Sequence, residues 1–150
     1  MKRLFTLVFI LSLLVVYAVP AYADSYANVN QANEKIEYAD GSYAVIETQI
    51  EKSITKSSSK SASKTCKYYN SSDVLQWTFK LTGTFTYDGK TAAATSISTS
   101  YTILDNKWSY DHVTKSKSGA TVTGTGYFKK GLIAKSRTVT IKCSKSGVIS

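Results

Sequence analysis

The side chains able to do chemistry in this chain are few, and their spacing argues against catalysis. Nucleophilic catalysis needs a base held beside the nucleophile. The sole histidine, His112, stands next to Asp111, with no G-x-S-x-G elbow ahead of a helix to present a serine to it. In an extended segment those two neighbours point to opposite faces, so His112, near Trp108 and Tyr110, reads as a surface or edge residue. A zinc centre needs three or four nitrogen, sulfur or oxygen ligands, which one histidine and two cysteines do not supply. Glycoside hydrolysis needs two carboxyl groups facing each other across a sugar bond. No Glu follows Glu51, and Asp73, Asp88, Asp105 and Asp111 each stand beside turn-forming residues. Asp88 and Asp105 in particular sit where hairpin turns use an aspartate. These residues point to a protein that is not an enzyme, with no metal and no cofactor.

The two cysteines, Cys66 and Cys143, take their meaning from the start of the chain. Lys2 and Arg3 precede an apolar run from Leu4 to Tyr17, and Ala21-Tyr22-Ala23 offers a small-x-small cleavage site, so residues 1–23 read as a secretory signal peptide. The run is short for a bilayer span, which takes about 20 residues, and stable membrane insertion after cleavage is not expected. The mature protein would begin near Asp24 and act as a secreted protein, extracellular or held non-covalently at the cell surface. In an oxidising compartment an even cysteine count reads as one disulfide, Cys66 to Cys143. Closing so long a loop would stabilise the fold by about 4 kcal/mol in the chain-entropy model.

Charge is the remaining functional signal. The whole chain carries +9, distributed unevenly. Residues 24–51 hold one base, Lys35, against six acids, whereas 52–150 hold sixteen bases against four acids. An electropositive domain attracts anionic polymers such as cell-wall polymers or sulfated glycans. Arg137 is the single arginine past the leader. Lysine charge is diffuse and lacks the planar fork used to read bases, so specific nucleic-acid recognition is not expected. Tyr68 and Tyr69 must point to opposite faces if extended, which leaves one of them facing solvent, able to stack on a sugar. The candidate ligand surface therefore comprises Tyr68, Tyr69, Trp108, Lys129, Lys130 and Arg137. The expected function is non-catalytic binding, or a structural role at the surface, directed at anionic cell-wall or host glycans. The alternative is a secreted antimicrobial or toxin-like effector, although the chain lacks the amphipathic helix of membrane-active peptides.

The elements that must position these residues are strands. From Val74 to Tyr87 the large groups Leu75, Trp77, Phe79, Leu81, Phe85 and Tyr87 alternate with Gln76, Thr78, Lys80, Thr82, Thr84 and Thr86, burying one face and wetting the other. Gly83 lies on the apolar face and marks a bulge or a close approach of the facing sheet. Tyr43 to Ile54, Ala93 to Ile103, Lys107 to Val113, Ala120 to Phe128 and Ile133 to Cys143 carry the same period, separated by Asp, Asn and Gly turns. The fold class is all-β, an antiparallel β-sandwich, with immunoglobulin-like topology favoured by the cysteine pair and Trp77. Residues 24–56 form an extended acidic N-terminal segment with one strand. Residues 57–65 form a Ser/Lys-rich linker, and 66–150 the basic sandwich domain.

The order of motifs resembles a functionally uncharacterised group of small secreted β-domain proteins of Gram-positive bacteria. The matching residues are Asp40-Gly41-Ser42-Tyr43, Trp77 through Tyr87, Gly89, Trp108, Lys117-Ser118-Gly119, Cys143 to Gly147 and Ser150. The resemblance implies secretion and a compact β domain, and supplies no catalytic residues. In that group the first cysteine falls near the position of Ala94, whereas here it is Cys66.

Overall fold

A computed structural model describes residues 31–51 and 58–150. The signal-peptide reading of residues 1–23 lies outside them. The described chain folds as eight strands: β1 Gln31–Glu37, β2 Tyr43–Glu51, β3 Ser59–Tyr69, β4 Leu75–Tyr87, β5 Ala92–Ile103, β6 Ser109–Ser118, β7 Thr121–Lys130 and β8 Ile133–Lys142. They build one sheet in the order β1-β2-β3-β4-β5 and a second in the order β6-β7-β8, antiparallel throughout. The expectation of an all-β sandwich holds.

The connectivity corrects the immunoglobulin-like expectation. That fold exchanges strands between its sheets through Greek-key connections. Here each sheet is a meander of consecutive strands, and the chain crosses from one sheet to the other between β5 and β6. Tight hairpins enforce this order. Gly119-Ala120 and Gly131-Leu132 join the strands of the smaller sheet, each with its glycine at positive φ, 54° and 57°. A two-residue turn of that kind leaves antiparallel neighbours no alternative pairing.

Two further boundaries are corrected. The polar segment before Tyr43 contains β1, which pairs along β2, for example Ile36 with Ala44. The linker assigned to 57–65 is from Ser59 onward the first half of β3, paired on both sides: Ser63 lies between Gln49 and Thr82. Ser and Lys dominate that half-strand because its outer face carries hydroxyls and its inner face needs only Ala62 to fill the core. The described part of the acidic segment, residues 31–51, is thus built into the larger sheet. Ion pairs tie it to the basic residues, Glu47 to Lys67 at 2.7 Å and Asp40 to Lys135 at 3.0 Å.

The core lies between the sheets. Trp77, Phe79, Leu81 and Phe85 of β4 point inward in strict alternation, and meet Val122 and Phe128 of β7 and Val139 and Ile141 of β8. Thr78, Thr82 and Thr84 face outward, as the period-two pattern required. Gly83 serves as the close approach expected of it, since a Cβ there would meet Val122 Cγ2 and the Phe85 ring. A register shift follows one residue on, with Thr84 opposite Ser96 and Phe85 opposite Ala94, so Thr95 is the bulged residue.

The disulfide expectation is overturned, because both cysteines are free and buried. Cys66 lies in mid-sheet between Ile46 and Phe79, and the cation acting on its thiol is Arg137. Cys143 follows β8, six residues beyond Arg137, which at ~3.3 Å per residue is about 20 Å further along the strand. A disulfide requires Cα atoms within about 7 Å. Ala94, the position favoured by the resemblance, lies instead at the same end as Cys143. Its N–H donates to Gly119 O at 2.8 Å, while the Cys143 N–H donates to the next carbonyl, Ala120 O, at 2.9 Å.

Candidate functional site

The six residues expected to form a ligand surface divide into four environments. Tyr68 occupies an inner-face position of β3, in line with Ala62 and Cys66, and is buried. Its ring stacks on Trp77 at 4.9 Å, and Trp77 stacks in turn on Phe128 at 4.0 Å. Trp108 closes the cluster edge-on, 5.4 Å from Tyr68, and its indole N–H donates to Gln76 Oε1 at 3.2 Å. Tyr68 and Trp108 are therefore core residues and cannot offer a stacking face to a ligand, which corrects their assignment. Large aromatic area is most stabilising when removed from water, and Tyr38 and Tyr110 pack against the same cluster from its sides. Tyr69 is the partner that points outward. It stacks on Tyr43 at 4.9 Å, with the Lys35 ammonium 4.4 Å from the Tyr43 ring.

The paired lysines at the end of β7 are held by aspartates of the neighbouring strand and loop. Lys129 bonds Asp111 at 2.6 Å, and Lys130 bonds Asp105 at 3.1 Å while lying over the Trp108 ring. The Asp111 carboxyl is held below the usual range first by its bond to Lys129 and then by His112. His112 Nδ1 is 2.8 Å from Asp111 Oδ2, and its ring stacks on Tyr127 at 4.1 Å. Alternation would have parted these neighbours. The ladder, however, slips between Tyr110 and His112, so Asp111 is a bulged residue free to reach both cations. An ionised carboxylate shared between a lysine and an exposed histidine forms an ion-pair cluster at this edge of the smaller sheet.

The other carboxylates perform the turn roles read from the sequence. Asp88 Oδ1 accepts the N–H groups of Lys90 and Thr91, and Asp105 Oδ1 accepts that of Lys107. These bonds lower the pKa of both aspartates. Asn70 Oδ1 likewise accepts from Ser72 and Val74, shaping the turn before β4. Among the described residues no three potential metal ligands come together.

Arg137 is placed differently from the other five. It lies on the inner side of β8 opposite Gly126, where the three-stranded sheet ends and the five-stranded sheet continues past it. The step between the sheets leaves a groove of about 240 Å³ lined by Glu34, Ile46, Lys64, Arg137, Thr138, Val139 and Thr140. Arg137 Nε is buried there with no hydrogen-bond partner among the described residues. Lys64 and Glu34 were not singled out by sequence. Lys64 lies two positions before Cys66 and so shares its face, a parity visible only once 59–65 is recognised as strand. A larger hollow of about 370 Å³ at the opposite end, lined by Ser58, Ser59, Thr86, Tyr87, Asp88, Thr91 and Ala93, offers hydroxyls but no cation.

Both outer faces are rows of hydroxyls. Ser61 bonds Thr84 at 3.0 Å on the larger sheet; Thr123 bonds Thr140 at 3.2 Å and Thr125 bonds Thr138 at 2.8 Å on the smaller. Cross-strand pairs of this kind stabilise the sheet. Comparison of the chain with protein-family models, with curated proteins and with solved structures finds no match.

Proposed function

We propose that this chain is a secreted, non-catalytic protein that binds anionic polysaccharide or cell-wall polymer, or serves as a structural component associated with such a surface. The observation that carries the reading is how the charges are distributed between pairs and free groups. Asp40, Glu47, Asp105 and Asp111 are each taken up by a lysine. Lys80, Lys90, Lys107, Lys115, Lys142 and Lys145 form no ion pair among the described residues. The surplus of cations read from composition is therefore not cancelled inside the fold. It is offered to solvent from both sheets, against hydroxyl rows that can meet the hydroxyls of a glycan.

The reading is tested by retention of the mature protein on immobilised heparin, poly(glycerol phosphate) and uncharged dextran at several salt concentrations. Retention on both polyanions and not on dextran is expected. It should weaken steeply with salt, because exposed charges are screened over about 10 Å at 0.1 M. Equal elution from all three matrices at low ionic strength would overturn it.

A further inference from the structure

The groove beside β8 has a chemistry that diffuse positive charge does not explain. Two neighbouring inner-face cations of β8 meet different fates. Lys135 is satisfied, with its ammonium 3.0 Å from Asp40 and 4.4 Å from the centre of the Tyr38 ring. Arg137 keeps a buried Nε with nothing to donate to among the described residues. Nε and the adjacent Nη form the edge of the guanidinium that takes two oxygens of a carboxylate, phosphate or sulfate in parallel bonds. An unsatisfied buried donor is destabilising, and a ligand oxygen would remove the penalty.

The rest of the lining suits an anion carried on a sugar. Lys64 supplies a second cation, and Ile46 and Val139 give an apolar floor. Glu34, also in the lining, is the one acid there; it forms no ion pair with Lys64 or Arg137 among the described residues. Its carboxylate would repel an anion approaching its own side and so confine the charged group to the side of the two cations. The groove's 240 Å³ is roughly the room of eight waters at ~30 Å³ each. That is enough for one charged group with the ring that bears it.

We propose that this groove is an oxyanion subsite, in which one carboxylate, phosphate or sulfate group of an anionic glycan is held by the Nε edge of Arg137 with Lys64 as the second cation. The proposal rests on the binding of anionic glycans argued above and adds a specific residue to it.

Arg137→Lys is the discriminating variant, because it keeps the charge and removes the fork. If the subsite exists, Arg137→Lys weakens heparin or polygalacturonate binding about tenfold at fixed salt, the loss of a charge-assisted bidentate contact. Lys80→Gln, which deletes a charge on the outer face of β4, weakens it less than about threefold. Binding by Arg137→Lys equal to that of the unaltered protein overturns the subsite while leaving glycan binding intact. An independent arm needs no variant: the Arg137 Nε–Hε resonance of labelled protein is titrated with sulfate, inorganic phosphate and glucuronate. A saturable shift with at least one of the three supports the subsite, and the anion that saturates first identifies the group. Shifts that rise linearly with all three overturn it, whether or not Arg137→Lys folds. Failure of the unaltered protein to bind any polyanion would instead sink the proposed function, and the small-anion titration alone would then decide the groove.

Discussion

Gly83 of β4 and Val122 of β7 face each other across the interior so closely that a Cβ on Gly83 would lie 2.7 Å from Val122 Cγ2. The same position would bring it 2.9 Å from the Phe85 ring. The two sheets are thus in contact through a missing side chain. Overpacking of this kind costs about 1–3 kcal/mol, which is the loss expected for Gly83→Ala in a denaturant melt. Val122→Ala removes the obstructing methyl groups. The double variant should therefore lose less stability than the sum of the two single changes, and strict additivity would show that the sheets can separate freely at this point.

Trp77 and Thr82 lie on the same strand and opposite faces. Trp77 is fully buried between Tyr68 and Phe128, so Trp77→Ala should cost about 3–5 kcal/mol through lost burial and a residual cavity. Thr82→Ala, on the outer face, should stay within about 0.5 kcal/mol. Chemical denaturation of the two variants checks the assignment of faces, and equal costs would contradict it.

Removal of residues 1–56 deletes β1 and β2 and uncovers the flank of β3 where Ala44 and Ile46 now pack. Such a chain should lose its cooperative thermal transition. A sharp melt at an unchanged temperature would mean that the acidic strands are dispensable to the fold.

The cysteines should behave as buried thiols. Burial pushes the Cys66 thiol up to about 12, and the Cys143 thiol is raised for the same reason. The thiolate is the reactive form. Thiol reagent at neutral pH should therefore label neither residue quickly in the native protein, and both in denaturant without prior reduction. Ala94→Cys places a thiol at the same end of the core as Cys143. It is expected to form the disulfide that Cys66 does not, read as a single free thiol remaining after denaturation.

Asp40 links the β1–β2 turn to β8. Its carboxyl is lowered to about 2, first by the Ser42 hydroxyl and then by the Lys135 ammonium and the Ser42 backbone N–H. A carboxylate with a lowered folded-state pKa contributes stability above its unfolded value near 4, and that contribution fades as pH falls toward 2. Asp40→Asn should accordingly melt below the unaltered protein at pH 6, and the gap should close between about pH 4 and pH 2. A gap that persists at pH 2 would assign the loss to turn geometry alone.

The period-two alternation of β4 was legible because it is local: successive side chains of an extended chain point to opposite faces whatever surrounds them. For the same reason sequence sufficed for the sandwich class, the inward set from Trp77 to Phe85 and the turn aspartates. Alternation states that Tyr68 and Tyr69 face opposite ways, but only the second sheet decides which of them is covered. It puts Cys66 and Cys143 both inward, yet their separation along the core depends on how β8 lies over β3. The half-strand 59–65 was hidden because its serines and lysines carry little burial signal, and its hydrogen bonds are made with β2 and β4. The groove at Arg137 arises from the unequal width of the two sheets. Strand order and sheet overlap are long-range properties, set by which edges bury the most apolar surface together, and no stretch of the chain encodes them alone.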